Sequence, residues 1–548
     1  MLSGNLNGLK ASQLRALERL ERRRAHSDRV ITPELAKALA EVSGEIQRQV
    51  GLLLDRRGGV TAVIVGDARG LFLPELGRRG RDRLAGVRLV HTHLTREPLN
   101  DDDLTDLALL RLDLVASVQV TEDGFPGLMY QAHLLPDNES DRPWSVLPAT
   151  TVYDLSDDFP SMIEALEEEI ERRRKPRRAD DHRERAVLVH VSMAAPAFAE
   201  DSVRELRELA RSAGIDAVHA VIQHRPPDPR FGVGQGKLKY TLIKAMQLGA
   251  ETIVFDMNLT PSQVKALADY TDLKVLDRTQ VILDIFAQHA VTREGKIQVE
   301  LAQLRYLLPK LGAKHTAFSR LAGGIGGRGP GETKLEIDRR RARDRIARLE
   351  REVTKLGERR ELRRGNRRRH GLPVVAIVGY TNAGKSTLLN NLTRSSVIAE
   401  DALFATLNPV SRRLRFPRER EVIVTDTVGF IRSLPPDLKA AFRTTFEELH
   451  YADLLLHVID ASCADLDDKL ETVNALLAEL DLQLKPALLV LNKTDLCAPD
   501  EAAGLAQRLD GVAVSALAPE TFGPLLEAME KRLWSESVLK PSCPVPAP

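Results

Sequence analysis

The 548-residue sequence predicts an α/β fold spread over several domains, and three observations carry that expectation. A chain of this length exceeds what one hydrophobic core organises, so three or four domains are expected. Short apolar runs bounded by turn residues alternate with amphipathic segments, the pattern of buried strands separated by helices. One such run, "VVAIV", leads into the octapeptide "GYTNAGKS" and then the helical "TLLNNLT".

Bulk composition narrows the classes. Lys and Arg number 79 against 78 Asp and Glu, so any preference for a charged partner must come from local clusters. Cys463, Cys497 and Cys543 lie too far apart for disulfide or metal spacing and fit a reducing compartment. The amino terminus lacks an apolar signal core, and no run of about 18 apolar residues occurs. A soluble cytoplasmic protein without a membrane span is expected.

Residues 1–185 read as a mixed α/β region, with "VTAVIVGD" and "GVRLVHTHL" as strands and the basic-ended helix "SMIEALEEEIERRRKPRR" as its close. Residues 186–290 form a second α/β domain with strands in "AVLVHVSM", "DAVHAVIQ", "ETIVFD" and "LKVLD". Residues 291–370 read as a helical hairpin. Ile297, Leu301, Leu304 and Leu308 make an apolar stripe on its first arm, and Ile346, Leu349, Val353 and Leu356 a coiled-coil seam on its second. Between the arms, "AGGIGGRGPGE" excludes regular structure. Residues 371–533 repeat the strand and helix alternation through "PVVAIVGY", "REVIVTDTVGF", "ADLLLHVIDAS" and "PALLVLNKTD". The Pro-rich residues 534–548 are expected to be a disordered tail.

The chemistry is concentrated in the last domain. Gly379, Tyr380, Thr381, Asn382, Ala383, Gly384, Lys385 and Ser386 match the G-x-x-x-x-G-K-S phosphate loop in its required strand-to-helix setting. Its backbone N–H groups would cradle phosphates, Lys385 would reach the β- and γ-phosphates, and Ser386 would ligate Mg²⁺. Phosphates alone leave ATP and GTP open. "NKTD" decides for GTP: Asp495 would accept from the paired guanine donors that adenine lacks, Asn492 would contact the ring, and the Lys493 stem would lie over the nucleotide beside Thr494. Ser515, Ala516 and Leu517 follow another strand, placed for backbone contact with the base. Asp426 would complete the Mg²⁺ site, Gly429 would offer its N–H to the γ-phosphate, and Thr406 would close over both as the first switch.

Together, "GYTNAGKS", "LFATLNP", "DTVGFI", "NKTD", "SAL", "GGIGGRGPGETKLEIDRRR" and the segment preceding it resemble the HflX GTPases over residues 186–533. That resemblance implies an α/β amino-terminal domain, a helical hairpin and a TrmE-Era-Obg-like P-loop GTPase domain. It adds Phe404, Ala405, Leu407 and Asn408 around Thr406, and Thr427 and Val428 beside Asp426, as nucleotide contacts. It also implies a monomer that binds the large ribosomal subunit and its RNA and splits stalled or idle ribosomes. Some members hydrolyse ATP as well. Seven arginines between residues 359 and 369 fit contact with RNA phosphates. An assembly GTPase acting on the large subunit would use the same features.

Three features stand apart. Phe430 occupies the place where Ras-like switches carry a water-orienting glutamine, so K⁺ held at Asn382 or the ribosome itself would supply what is missing. "RFGVGQGKLKYTLIKA" places Gly232, Gly234 and Gly236 before Lys237, either a second phosphate cradle or a tight loop. His91 and His93 resemble the H-x-H of JAMM-type zinc peptidases, but Asp101 and Leu104 occupy the places of that motif's serine and aspartate. Two histidines without a placed third ligand read as a degenerate relative, with a GTPase-regulated zinc hydrolase as the competing reading.

Overall fold

A computed structural model describes residues 2–68, 70–71, 73, 84–136, 143–155, 158–173, 183–311, 334–368, 372–393, 411–416, 420–426, 429–431, 446, 449–463 and 465–534. The hairpin loop "AGGIGGRGPGE" and the carboxy-terminal tail lie outside these residues. The chain divides into two units, residues 1–187 with 233–252 and residues 188–232 with 253–548.

In the first unit, β1 (Leu2–Gly4), β2 (Val50–Asp55), β3 (Val60–Val65), β4 (Val87–His93), β5 (Leu114–Val120), β6 (Pro126–Leu134), β7 (Trp144–Val146) and β8 (Thr150–Thr151) share one sheet. Its order is β1-β3-β2-β4-β5-β6-β7, with β8 also paired to β6. The central strand β4 runs antiparallel to β2 and parallel to β5. It is buried on both faces although Arg88, His91, Thr92 and His93 make four of its seven residues polar. After β4 the chain turns into the helix Asp101–Leu109. The Asn100 side chain accepts from the N–H groups of Asp102 and Asp103, and the Asp103 carboxylate accepts from the Asn100 N–H, a reciprocal capping box.

A second sheet comprises β9 (Glu184–Ser192), β10 (Ile215–His224), β11 (Thr252–Phe255) and β12 (Lys274–Asp277), ordered β10-β9-β11-β12. Beyond it the helices Arg293–Leu307 and Lys334–Arg368 pair along the expected stripe. Ile297, Leu301 and Leu349 are buried, and Leu304, Ile346, Val353 and Leu356 pack against them. Arg345 meets Glu300 at 2.7 Å and Arg293 meets Glu352 at 3.4 Å, so the two helices run antiparallel. Leu308 departs from the expected stripe: it opens a 3₁₀ turn, Leu308–Lys310, because Pro309 removes the donor a longer helix would need. Tyr306 and Lys310 both donate to the buried carboxylate of Asp277, at 2.7 and 2.6 Å, and so anchor the base of the arm to the end of β12.

The last sheet uses β13 (Val374–Gly379), β14 (Ser411–Arg415), β15 (Glu421–Asp426), β16 (Leu454–Asp460), β17 (Ala487–Asn492) and β18 (Val512–Ala513) in the order β14-β15-β13-β16-β17-β18. Every neighbouring pair is parallel except β14 with β15. The sequence pattern passed over β14 because "SRRLR" buries only Leu414 and exposes its arginines, as a charged edge strand does. No helix among the described residues is long and apolar enough to cross a membrane.

Candidate nucleotide site

The carboxyl ends of β13, β15, β16 and β17 converge on one loop, the place where an open parallel sheet offers a crevice. Gly379 ends β13 with φ +151°, and a Cβ there would lie 2.1 Å from the Val458 carbonyl of β16. At Gly384, φ +85°, a Cβ would lie 2.3 Å from Asn492 Nδ2. Asn382 takes the left-handed conformation that asparagine tolerates. The loop therefore turns tightly enough for Lys385, at the start of the helix Lys385–Thr393, to reach back. Its Nζ donates to the Tyr380 carbonyl at 2.6 Å. Burial pushes the Lys385 ammonium down to about 8, with Asp426 opposing that shift.

Ser386 Oγ donates to Asp426 Oδ2 at 2.6 Å, and Asp426 closes β15 with no exposed surface. A hydroxyl and a carboxylate oxygen brought together beside a phosphate loop form a donor set suited to Mg²⁺. Thr406, with Phe404, Ala405, Leu407 and Asn408, lies outside the described residues, as do Thr427 and Val428.

At the end of β17, the side chain of Asn492 is a strut. Its Nδ2 donates to the Ala383 carbonyl and its Oδ1 accepts from the Ala516 N–H, both at 2.8 Å. Ser515 Oγ donates to Asp495 Oδ1 at 2.6 Å, and Thr494 N–H donates to the Val514 carbonyl. Leu517 N–H meets Ser515 Oγ at 3.3 Å. Lys493 adopts φ 62° and pairs with Asp460 at 2.8 Å. Phosphate loop, "NKTD" and "SAL" are thus laced into one rim. Sequence reasoning missed Asn391, which holds the Ala516 carbonyl at 2.6 Å, and Asp460. Asp460 was findable, since it ends the apolar run of β16 just as Asn492 ends that of β17. His457, one turn of the pleat deeper, is pushed down to about 4, first by burial and then by the Lys385 charge.

Gly429 is held where a Cβ would meet Thr381 Cγ2 at 2.8 Å and Lys385 Nζ at 3.0 Å. The next residue, Phe430, pairs with the phosphate loop through its main chain: its N–H donates to the Gly379 carbonyl, and its carbonyl accepts from Thr381 at 2.7 Å. The ring is 1% exposed and tilts against Phe446, 6.1 Å between centroids. From the other side of the loop, Tyr380 Oη donates to Glu205, which pairs with Arg278 at 2.7 Å; Arg278 in turn pairs with Asp256 at 2.6 Å.

Residues 200–287 match a family described as GTP-binding GTPase N-terminal, residues 289–367 its middle region, and residues 374–493 a family described as 50S ribosome-binding GTPase. The GTPase HflX of Caldanaerobacter subterraneus subsp. tengcongensis is 46% identical over 356 residues, 65% of this chain and 82% of that protein. The chain belongs to the HflX family of GTPases. The HflX of Escherichia coli K12 is 46% identical over 317 residues, 58% of this chain and 74% of its own. A solved GTP-binding protein from Sulfolobus solfataricus in complex with GDP aligns at 25% identity over 63% of this chain and 99% of that one, with a TM-score of 0.36. As an HflX-family enzyme the chain binds and hydrolyses GTP, and its P-loop GTPase domain lies in the α/β class that the sequence predicted.

Two further motifs have a defined geometry. Asp228 and Gly232 exchange main-chain hydrogen bonds at 3.2 and 2.9 Å, so a tight turn ends at Gly232, and Gly234 is the N-cap of the helix Gln235–Gln247. The pair His91 and His93 does have a third partner. Asp103, not Asp101 or Leu104, brings its carboxylate to both rings. Spacing along the chain missed it because the capping box, not the residue count, sets where the helix starts.

Proposed function

We propose that this HflX-family GTPase binds the large ribosomal subunit through its helical arm, dissociates or rescues stalled or idle ribosomes in its GTP form, and leaves when GTP is hydrolysed. The arm is the observation that carries this reading. The helix Lys334–Arg368 holds 15 Lys and Arg against seven Asp and Glu, a net charge of +8, on a rod stiffened by the apolar seam. Past Glu352, opposite the start of its partner helix, it continues for roughly 24 Å. A cationic rod of this kind suits phosphates of folded RNA.

The site residues take roles in the same scheme. The N–H groups from Gly379 to Ser386 cradle the phosphates, Lys385 and the Gly429 N–H meet the γ-phosphate, and Ser386, Thr406 and Asp426 hold Mg²⁺. Bound there, the ion would neutralise charge developing on the β- and γ-oxygens. Asp495 reads the guanine donors, Lys493 covers the base, and Ser515, Ala516 and Leu517 border it. Asn492 keeps one amide N–H beyond its two structural bonds for the ring. The buried Phe430 ring reaches no water, which favours water placement by K⁺ at Asn382 or by the docked ribosome. The protein then acts as a cytoplasmic monomer.

GTP turnover with and without large subunits tests the reading, together with sedimentation of intact ribosomes. Strong stimulation with release of free subunits is expected. Stimulation that leaves ribosomes intact points to subunit assembly instead, and absence of stimulation overturns both.

A further inference from the structure

We infer that His91, His93 and Asp103 form a binding site for one divalent transition-metal ion of the zinc class, in the first unit and independent of the GTPase reading. His91 and His93, two apart on β4, point from the same face of the sheet. The helix that follows delivers Asp103. His91 Nε2 stands 2.9 Å from His93 Nε2 and 3.1 Å from Asp103 Oδ1, and His93 Nε2 stands 3.3 Å from Asp103 Oδ2. Among the described residues this is the one group of three such ligands whose donor atoms converge.

Hydrogen bonding does not account for the triangle. Each ring nitrogen carries at most one proton, and the carboxylate carries none when ionised. With one imidazole protonated at Nε2, one of the three contacts joins two acceptors. With both protonated toward Asp103, two N–H groups face each other across 2.9 Å, and His93, whose Nδ1 also holds a proton for the Glu97 carbonyl, is a buried cation. Both histidines are almost fully buried, at 0% and 2% exposure, so water does not relieve either arrangement. A cation between them does, because both imidazole nitrogens and the carboxylate present lone pairs to it. Ligands at about 2.0–2.1 Å in a tetrahedral array stand roughly 3.3 Å apart, close to the spacing seen.

The surroundings are arranged for ligation. His93 Nδ1 faces the Glu97 carbonyl at 3.1 Å, which places the proton there and leaves Nε2 free. The Asn100 N–H holds Asp103 Oδ2 at 2.9 Å. His91 Nδ1 is buried without a partner, so among the described residues the only hydrogen bonding offered to that ring is in the cluster at its other nitrogen. Two imidazoles and one carboxylate are a zinc-type ligand set.

Zinc retention by the full-length, nucleotide-free protein tests the inference. Wild-type protein loaded with ZnCl₂ and desalted should keep one zinc per chain, and Co²⁺ in its place should give the visible bands of a four-coordinate ion. His91→Ala and Asp103→Asn should lower zinc affinity by at least about tenfold, whereas Cys463→Ser should not. Asp103→Asn retains an acceptor for the Asn100 N–H, so its circular dichroism should match wild type. Zinc should raise the melting temperature of wild type but not of that variant. A wild type that retains no stoichiometric zinc overturns the site, as do variants that retain as much as wild type.

Discussion

At Phe430 a residue that looks like a damaged catalytic position is a core residue. Its main chain pins the phosphate loop and its ring fills space beside Phe446. Phe430→Gln would bury an amide with no partner and lose ring contacts, a cost of about 2–4 kcal/mol. Thermal unfolding should show that loss while basal GTP turnover stays flat; faster turnover at unchanged stability would mean that the position does place water. Lys385 makes a second prediction. Its ammonium is held down to about 8 in the free site, and a bound triphosphate would raise it, so GTP binding should take up protons at about pH 8 and above and almost none about two units lower. Calorimetry in buffers of different ionisation heat reads that uptake directly. His457, pushed down to about 4, is neutral throughout this range and should not contribute. Lys385→Ala should slow hydrolysis by about 100-fold or more, since it removes a charge aimed at the transferring phosphoryl group.

The arm shows how an element is specified. Its seam was legible because spacings of three and four repeat along both helices, and the same leucines and isoleucines do meet. Its termini were less so. Pro309 ends the first helix at Leu307, one residue short of the expected stripe, and the second runs on through the arginines to Arg368. Because the seam is narrow, one large truncation should open it locally. Leu349→Ala, at a position 1% exposed, should cost about 2–4 kcal/mol and speed amide exchange across residues 334–353. Exchange in β13, β16 and β17 should not change; a global loss of protection would show that the arm and the nucleotide sheet unfold as one body. Edge strand β14 is the opposite case, an element invisible to hydrophobic patterning because only Leu414 of its five residues is buried.

At the scale of the whole molecule, a net charge of +1 conceals an arm at +8. If six or more of its basic side chains meet phosphates, affinity for large subunits should fall by about 10³ between about 50 and 200 mM salt. Replacing Arg359, Arg360, Arg363 and Arg364 with glutamine should flatten that slope without changing basal hydrolysis; an unaltered slope would place the RNA contact elsewhere. The sequence alone determined the α/β class, the parallel strands of the nucleotide sheet, the phosphate loop, the guanine motif and the helical seam. Each is written in consecutive residues or in a short repeating period, and local backbone geometry follows from such patterns. Tertiary structure alone decided that Asn492 would brace Ala383 and Ala516, that Phe430 would face inward, and that Asp103 would close on His91 and His93. Those outcomes depend on strand register and on where a helix begins, and these fix which distant side chains meet without leaving a spacing in the chain to read.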